Sequence, residues 1–432
     1  MKKLSLIVML FMTLSLPMTF ISCGDDDGDK TENPGDNPGG GDEPINPGES
    51  MDVAQQKQKL ESTAMELMNK INAADFKNIA DVVGYAAVTS QNGDVVEEWA
   101  ESCARLCVQS TSDQLIKMLY QASNFYGQFE LQNGKWIKTG SERGNVQFKF
   151  KDGANNDCLL TLTYSENGTK VHHESFDEED WEYYYNNGNY YEIRTRIENT
   201  YVIPEKMEVT LTQGGTKLVD AVVTSALSIT DASGEFNFNT DKAEVTANIK
   251  VNNYSVVVDK AAFNAGTSAS LSAKFMKDNE TLISLAMTGT GNLSDIENPV
   301  ANDVTLDLDL IGKVQLKGKI TEISKMKGYM QEAYSNAGNE SAFKESVNKM
   351  NQLMDVNMFF DGNDTKRASI KYYPFIESGY GSEEWYVEPV MMFPDGSGYS
   401  TMQSYFDATT FATVITKFSN LINDFMGLTD LK

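Results

Sequence analysis

From about residue 128 onward the chain alternates apolar with polar positions, and the alternation is cleanest over residues 304–320. Val304, Leu306, Leu308, Leu310, Val314, Leu316 and Ile320 are apolar, while Thr305, Asp307, Asp309, Lys313, Gln315, Lys317 and Lys319 stand between them. A period of two puts each set on its own face of a strand. One face is then buried and one wet, the mark of an antiparallel sheet. Gly312 and Gly318 fall on the apolar side as bends. One unbroken strand of these 17 residues would span about 56 Å, so a sharp bend or a hairpin near Gly312 is the alternative.

The same pattern predicts further strands. "GQFELQNGKWIKTG" reads as a hairpin turning at Asn133-Gly134, and "VQFKFKDG" with "CLLTLTYS" as another pair, followed by a turn in "SENGTK". Strands are also predicted in "KMEVTLTQGG", "GEFNFNTDKAEVTANIKVNNYSVVVD" and "ASLSAKFMKDNETLISLAMTG". Near the end, "ASIKYYPFIES" and "EEWYVEPVMMFPDGSG" read as strands and turns, with "WYVEPVMMF" as core.

Elsewhere the apolar residues recur at three and four. Leu60, Ala64, Leu67, Met68 and Ile71 form one helical stripe; Phe76, Ile79, Val82 and Val83 form a second, weakened by Gly84. A third pattern runs from Asp94 toward Val108, and a fourth begins at Ser112-Asp113 and carries Leu115, Ile116, Leu119 and Ala122. Helices return after Ile323 in "MKGYMQEAY" and "SAFKESVNKMNQLMDV". The strongest helix is the last. Asp407 caps it, Phe411, Val414, Ile415, Phe418, Leu421, Ile422 and Phe425 make its stripe, and Gly427 is its expected stop.

Helices at both ends thus bracket a one-faced sheet. The expected class is α+β, a large, mostly antiparallel sheet packed against N-terminal and C-terminal helices. The expected segments are 51–127, helical; 128–323, antiparallel β; and 324–432, an α/β region packing on the sheet, with 51–432 forming one elaborate domain or two. No internal repeat is visible.

Ahead of this body the pattern is different. Lys2 and Lys3 precede the apolar run Leu4 to Leu16, and Phe20-Ile21-Ser22 leads into Cys23. The run is shorter than the ~20 residues a spanning helix needs, so residues 1–22 read as a secretory signal. A signal ending in a small residue and then Cys resembles the lipobox of bacterial lipoproteins. The resemblance implies a diacylglycerol on Cys23, cleavage just before it and acylation of the new amine. Several acyl chains at one site exceed the two-signal requirement for stable anchoring. Phe20 departs from the usual Leu. Asp25, Asp26 and Asp27 follow, and this acidic run resembles the export signal of surface lipoproteins of Bacteroidota. It implies display on the outer face of the outer membrane, with a periplasm-facing position as the alternative.

Residues 24–50 hold nine acidic residues against Lys30, four prolines, Gly39-Gly40-Gly41 and no aromatic ring. So little apolar surface cannot offset chain entropy, and 23–50 reads as a lipidated Cys with a disordered tether averaging about 30 Å end to end. Asp25, Asp27 and Asp29 do not make an EF-hand, because Lys30 stands where that loop needs Gly.

Charge narrows the partners. The chain carries a formal charge of −26, which repels nucleic acid and anionic membranes. Of the four cysteines, Cys103 and Cys107 lie one helical turn apart and Cys158 sits on a predicted strand. One of the pair could bridge to Cys158, or all three could be buried small hydrophobes. The only histidines, His172 and His173, point to opposite faces of a strand and cannot share a metal. No cofactor motif and no metal site is legible.

Two stretches remain as candidates. Glu174, Asp177, Glu178, Glu179, Asp180 and Glu182 invite a paired-carboxylate hydrolase reading, but so dense a run is expected in a solvated loop. Directly after it, "DWEYYYNNGNYYEIRTR" turns at Asn187-Gly188, placing Tyr185 opposite Tyr190 and Tyr184 opposite Tyr191, with Trp181 and Tyr183 beside them. Aromatic faces beside carboxylates and amides suit sugars, although cross-strand tyrosines also stabilise hairpins for their own sake. The sequence therefore points to a non-catalytic binding or accessory module for a glycan or other extracellular ligand. The alternatives are a carrier of an apolar ligand between sheet and helices, for which Ala243, Ala247, Ala273 and Gly318 could leave room, and a hydrolase.

Overall fold

A computed structural model describes residues 51–89, 126–186, 189–294, 300–379, 382–394 and 398–429; for 87–89, 173–186, 189–199, 201, 378–379, 382–383 and 429 it describes the backbone only. In chain order the helices α1 (Val53–Lys70) and α2 (Lys77–Thr89) come first, separated by a 3-10 turn at Ala73–Phe76. Strands follow as β1 (Gly127–Gln132), β2 (Lys135–Gly140), β3 (Asn145–Lys151), β4 (Asp157–Tyr164), β5 (Gly168–Asn186), β6 (Asn189–Pro204), β7 (Lys206–Gln213), β8 (Thr216–Ser228), β9 (Lys242–Val251) and β10 (Tyr254–Asn264). Then come β11 (Ser268–Lys277), β12 (Glu280–Asn292), β13 (Val300–Leu310), β14 (Val314–Ile320), α3 (Ile323–Ser335), α4 (Glu340–Gln352), β15 (Met354–Phe360), β16 (Ala368–Gly379), β17 (Ser382–Phe393), β18 (Gly398–Thr401) and α5 (Ala412–Thr429). The class is α+β, dominated by mostly antiparallel sheet with helices toward both ends of the chain.

The chain divides into two compact units, one spanning Asp75–Gly266 and the other formed by residues 51–74 with Thr267–Met426. In the first, strands lie in the order β10-β9-β8-β7-β4-β3-β1-β2, a meander broken only by the parallel pairing of β1 with β3. Two-residue turns set its hairpins. Asn133 and Gly134 both take positive φ, 52° and 77°, as a type I′ turn requires, so β1 and β2 pair across the predicted site. Rows such as Leu211, Val219, Val251 and Tyr254 align across β7 to β10 and are buried. Helix α2 contributes the buried Ile79, Val82 and Val83, while Phe76 stacks on Tyr254 at 4.8 Å and the Tyr254 hydroxyl donates to Asp75 at 2.8 Å. At the far edge Phe129, Val146 and Phe148 form a second cluster with Trp136, Leu160 and Leu162 against it.

In the other unit the order is β18-β17-β16-β15-β14-β13-β12-β11, all antiparallel. The 304–320 stretch is a hairpin, not one long strand: β13 and β14 pair from Val304↔Ile320 to Leu310↔Val314 around Gly312. Its polar face carries cross-strand partners, Asp307 opposite Lys317 and Thr288 bonded to Thr305 at 2.5 Å. On the apolar face, Val314, Met358, Phe360, Ala368, Met391, Phe393 and Tyr405 form a core, sealed in part by Met51, Val53 and Leu60. Burying each such large side chain stabilises the unit by about 1.5–3 kcal/mol. Helix α4 sets Phe343 and Val347 over Tyr372, Trp385 and Val387, so "WYVEPVMMF" is core at Val387, Val390, Met391 and Phe393.

Three expectations are corrected. Gly318 opens no space, because a Cβ there would lie 2.0 Å from the Asp355 carbonyl oxygen; the β15 backbone fills the position. Gly427 does not stop the last helix, which continues to Thr429. Nor is the whole stripe of that helix sunk: Phe411 is buried and Val414, Leu421 and Phe425 are half-buried, but Ile415, Phe418 and Ile422 are exposed. The third and fourth helical patterns, with Cys103 and Cys107, lie outside the described residues, as do Cys23, Asp25, Asp26 and Asp27. Cys158 is a buried free thiol, pushed up to about 11 by that burial and by the Asp152 charge beside it.

Candidate functional site

The region that carries the candidate aromatics is a two-stranded ribbon, β5 with β6, separate from the main sheet order. It is an insertion. Strands β4 and β7 on either side of it pair directly, from Cys158↔Gln213 to Tyr164↔Met207, so the meander closes without the ribbon. A ribbon of this length extends about 60 Å at ~3.3 Å per residue.

Its base is built into the Asp75–Gly266 unit. Val171 is buried, the His172 amide donates to the Gly234 carbonyl at 2.8 Å, and the Thr169 hydroxyl reaches the Leu227 carbonyl at 3.3 Å. At Gly168 a Cβ would meet the Ile203 carbonyl oxygen at 2.1 Å, so glycine is what lets the two strands leave the sheet side by side. The Ser225 hydroxyl ties down the other strand at the Pro204 carbonyl, 2.6 Å away.

Toward the tip the backbone register pairs Tyr184 with Tyr191 and Tyr185 with Tyr190, closing around Asn186↔Asn189. Tyr183 lies opposite Glu192 and Trp181 opposite Arg194. Residues paired across an antiparallel ribbon share a face, so Tyr184 with Tyr191 and Tyr185 with Tyr190 occupy opposite faces. The side chains of these tyrosines and of Trp181 lie outside the described residues. The acidic stretch is not a connecting loop. It belongs to β5, and the register slips between Phe176 and Trp181, so Asp177, Glu178, Glu179 and Asp180 form a bulge in the ribbon. A charged run can remain extended there because a two-stranded ribbon has no third strand to demand pairing. The side chains of Glu174, of Glu182 and of the bulge are outside the description. His172 and His173 face Thr200 and Asn199 across the ribbon, and the His172 ring lies 3.5 Å from the Thr200 hydroxyl.

Two buried carboxylates were not singled out by sequence pattern. Asp152 is 7% exposed and accepts from the Asn156 side chain and amide, the Ala154 amide and the Gln213 side chain; these bonds, led by that of Asn156, outweigh burial and lower it to about 2. Asp241 is fully buried. Burial resists its charge, yet the amides of Asn237 and Thr230 and the hydroxyls of Thr230 and Thr240 hold it below the usual carboxylate range. Asp241 spends its oxygens on its own loop, and Asp152 on its own loop and on Gln213 at the end of β7, so both brace turns. Among the described residues no group of three or more His, Cys, Asp or Glu side chains is placed to hold a metal. An open depression of about 790 Å³ beside the start of α4 is lined by Gly338, Asn339, Glu340, Lys344 and other polar residues. It is no apolar chamber. No protein-family model, no curated protein and no solved structure matches the chain.

Proposed function

We propose that the protein is an outer-membrane lipoprotein, held by acyl chains on Cys23 and displayed at the cell surface, whose β5/β6 ribbon is a non-catalytic element for binding glycans. The observation that carries this reading is the insertion itself. A ribbon the meander does not need, with two Tyr-Tyr pairs in register near its tip, is better explained by a ligand than by the fold. Aromatic rings stack on the C–H faces of sugars while tyrosine hydroxyls and the nearby acids and amides accept and donate hydrogen bonds. The acidic tether would hold this element away from the membrane.

The second reading, a carrier of an apolar chain, is favoured by a different observation. Leu271, Leu285, Leu306, Leu308 and Leu316 share the apolar face of the sheet and are only half-buried.

One screen separates the two. The full-length protein is tested against glycans and against fatty acids and phospholipids, alongside Tyr184→Ala and Tyr191→Ala. On the ribbon reading each substitution weakens glycan binding about tenfold, equivalent to about 1.4 kcal/mol. Glycan binding untouched by both would refute it, and lipid binding untouched by both favours the carrier.

A further inference from the structure

Helix α5 turns an apolar stripe outward. Ile415, Phe418 and Ile422 recur at three and four and are 48%, 55% and 42% exposed. The opposite side carries Thr413, Thr416, Asn420 and Asn423, and the only charges in the helix are Lys417 and Asp424. Single exposed hydrophobes need no explanation, but a continuous stripe on one helix marks an interaction surface.

Two observations say what covers it. The first is charge. A helix that lies in a membrane interface sinks its apolar face about 5–10 Å, and attraction to anionic lipid calls for Lys and Arg on the other side. Here that side is nearly neutral, on a chain of formal charge −26 that anionic surfaces repel, so the matching lipid is zwitterionic. Among the described residues no helix is long and apolar enough to cross a membrane, so this one would lie flat.

The second is position within the unit formed by 51–74 and Thr267–Met426. The Asp407 carboxylate accepts the Thr410 amide at 2.7 Å at the entry to α5, and Lys57 of α1 donates to that carboxylate at 2.9 Å and to the Ser404 carbonyl at 2.8 Å. Met51 and Val53 pack on the cluster containing Tyr405. Met51, the residue after the tether, and the start of α5 therefore share one corner. On the tether reading of residues 24–50, Cys23 would lie about 30 Å from that corner on average.

From these we propose that α5 lies on the same lipid surface that Cys23 enters, a second contact that orients the unit on the membrane. The proposal rests on the lipid-anchor reading above.

The test uses the full acylated chain in phosphatidylcholine vesicles, with bimane attached at Phe418→Cys or, on the polar side, at Asn420→Cys. Wild-type protein carried through the same labelling gives the background from Cys103, Cys107 and Cys158. Doxyl-labelled lipid should quench the label at 418 at least about threefold more than that at 420, and aqueous iodide should do the reverse. Equal iodide quenching at both positions overturns the proposal. So does shielding at 418 that vanishes as protein is diluted in the vesicles, which would assign the stripe to a second copy of the chain. The mass of the N-terminal peptide is read on the same sample. An unmodified Cys23 sinks the anchor reading by itself, while the quenching contrast still decides the helix.

Discussion

Helices α1 and α5 are each 18 residues long and each has an apolar stripe, yet the two stripes are covered differently. Helix α1 sinks Met68 and is pinned by polar groups: Gln56, 1% exposed, donates to the carbonyls of Met51 and Arg367 and accepts from the Tyr405 hydroxyl. Along its outer edge Lys59 meets Asp361, Glu66 meets Lys313, and Lys70 meets Glu280 at 2.9 Å. Helix α5 has a buried Phe411 at its entry and half-buries Val414, Leu421 and Phe425, but leaves Ile415, Phe418 and Ile422 in the open. An amphipathic pattern therefore says that a helix has a face to cover, not that its own fold covers it. What distinguishes the two is the set of polar contacts across the sheet, and these have no periodicity to read.

The largest test of this contrast is to truncate one apolar side chain on each helix. Met68→Ala removes a buried side chain and should cost about 2–5 kcal/mol. Phe418→Ala removes an exposed one and should change stability by no more than about 0.5 kcal/mol. Urea midpoints of the two purified variants against wild type decide it. Equal losses would mean that α5 is part of the core and would end the contrast.

A smaller loss isolates the polar pin. Gln56→Leu keeps the volume roughly constant but strands two carbonyls and the buried Tyr405 hydroxyl, whose ionisation burial already pushes well above the ordinary tyrosine range. The expected cost is about 1–3 kcal/mol, with protection of amides 53–70 lost in hydrogen exchange before that of the strands. If exchange in α1 is unchanged, packing alone holds the helix.

Much of the sheet was legible for a local reason. Asn133-Gly134 and the alternation flanking Gly312 encode hairpins within a dozen residues, and the Tyr184–Tyr191 register is the one that the dipeptide Asn187-Gly188, outside the described residues, suggested by sequence. What escaped depends on distant partners. The parallel β1–β3 pair brings Phe129 beside Phe148 by crossing over a strand, and no local spacing announces it. Gly318 looks like a small residue on an apolar face until β15 arrives against it. The acidic run looked like a loop because a sheet interior would reject it, whereas a free-standing ribbon does not. Of the candidate site, the register of the aromatics could be read from sequence. That the ribbon is an addition to a meander already complete could not, because it depends on β4 meeting β7 across nearly fifty residues.

The smallest expected effect concerns the edge of α1 and turns on pH. Glu66 is held below the usual carboxylate range chiefly by its hydrogen bond to Lys313, against the opposing effect of burial. A carboxylate whose value is lowered in the folded state contributes stability above its ordinary value, near 4.5, and loses it as pH falls through the folded value. Both partners are about 40% exposed, so solvent screening limits the pair to less than about 1 kcal/mol. Glu66→Gln should therefore lower the Tm slightly at pH 7, and the gap to wild type should close as the pH falls through the folded value of Glu66 and the carboxylate takes up its proton. Added salt at pH 7 should narrow the same gap, because the pair is exposed to screening. A gap that does not narrow with falling pH would show that Glu66 serves the helix by packing rather than by charge. The polar edge of α1 would then differ less from that of α5 than the ion pairs imply.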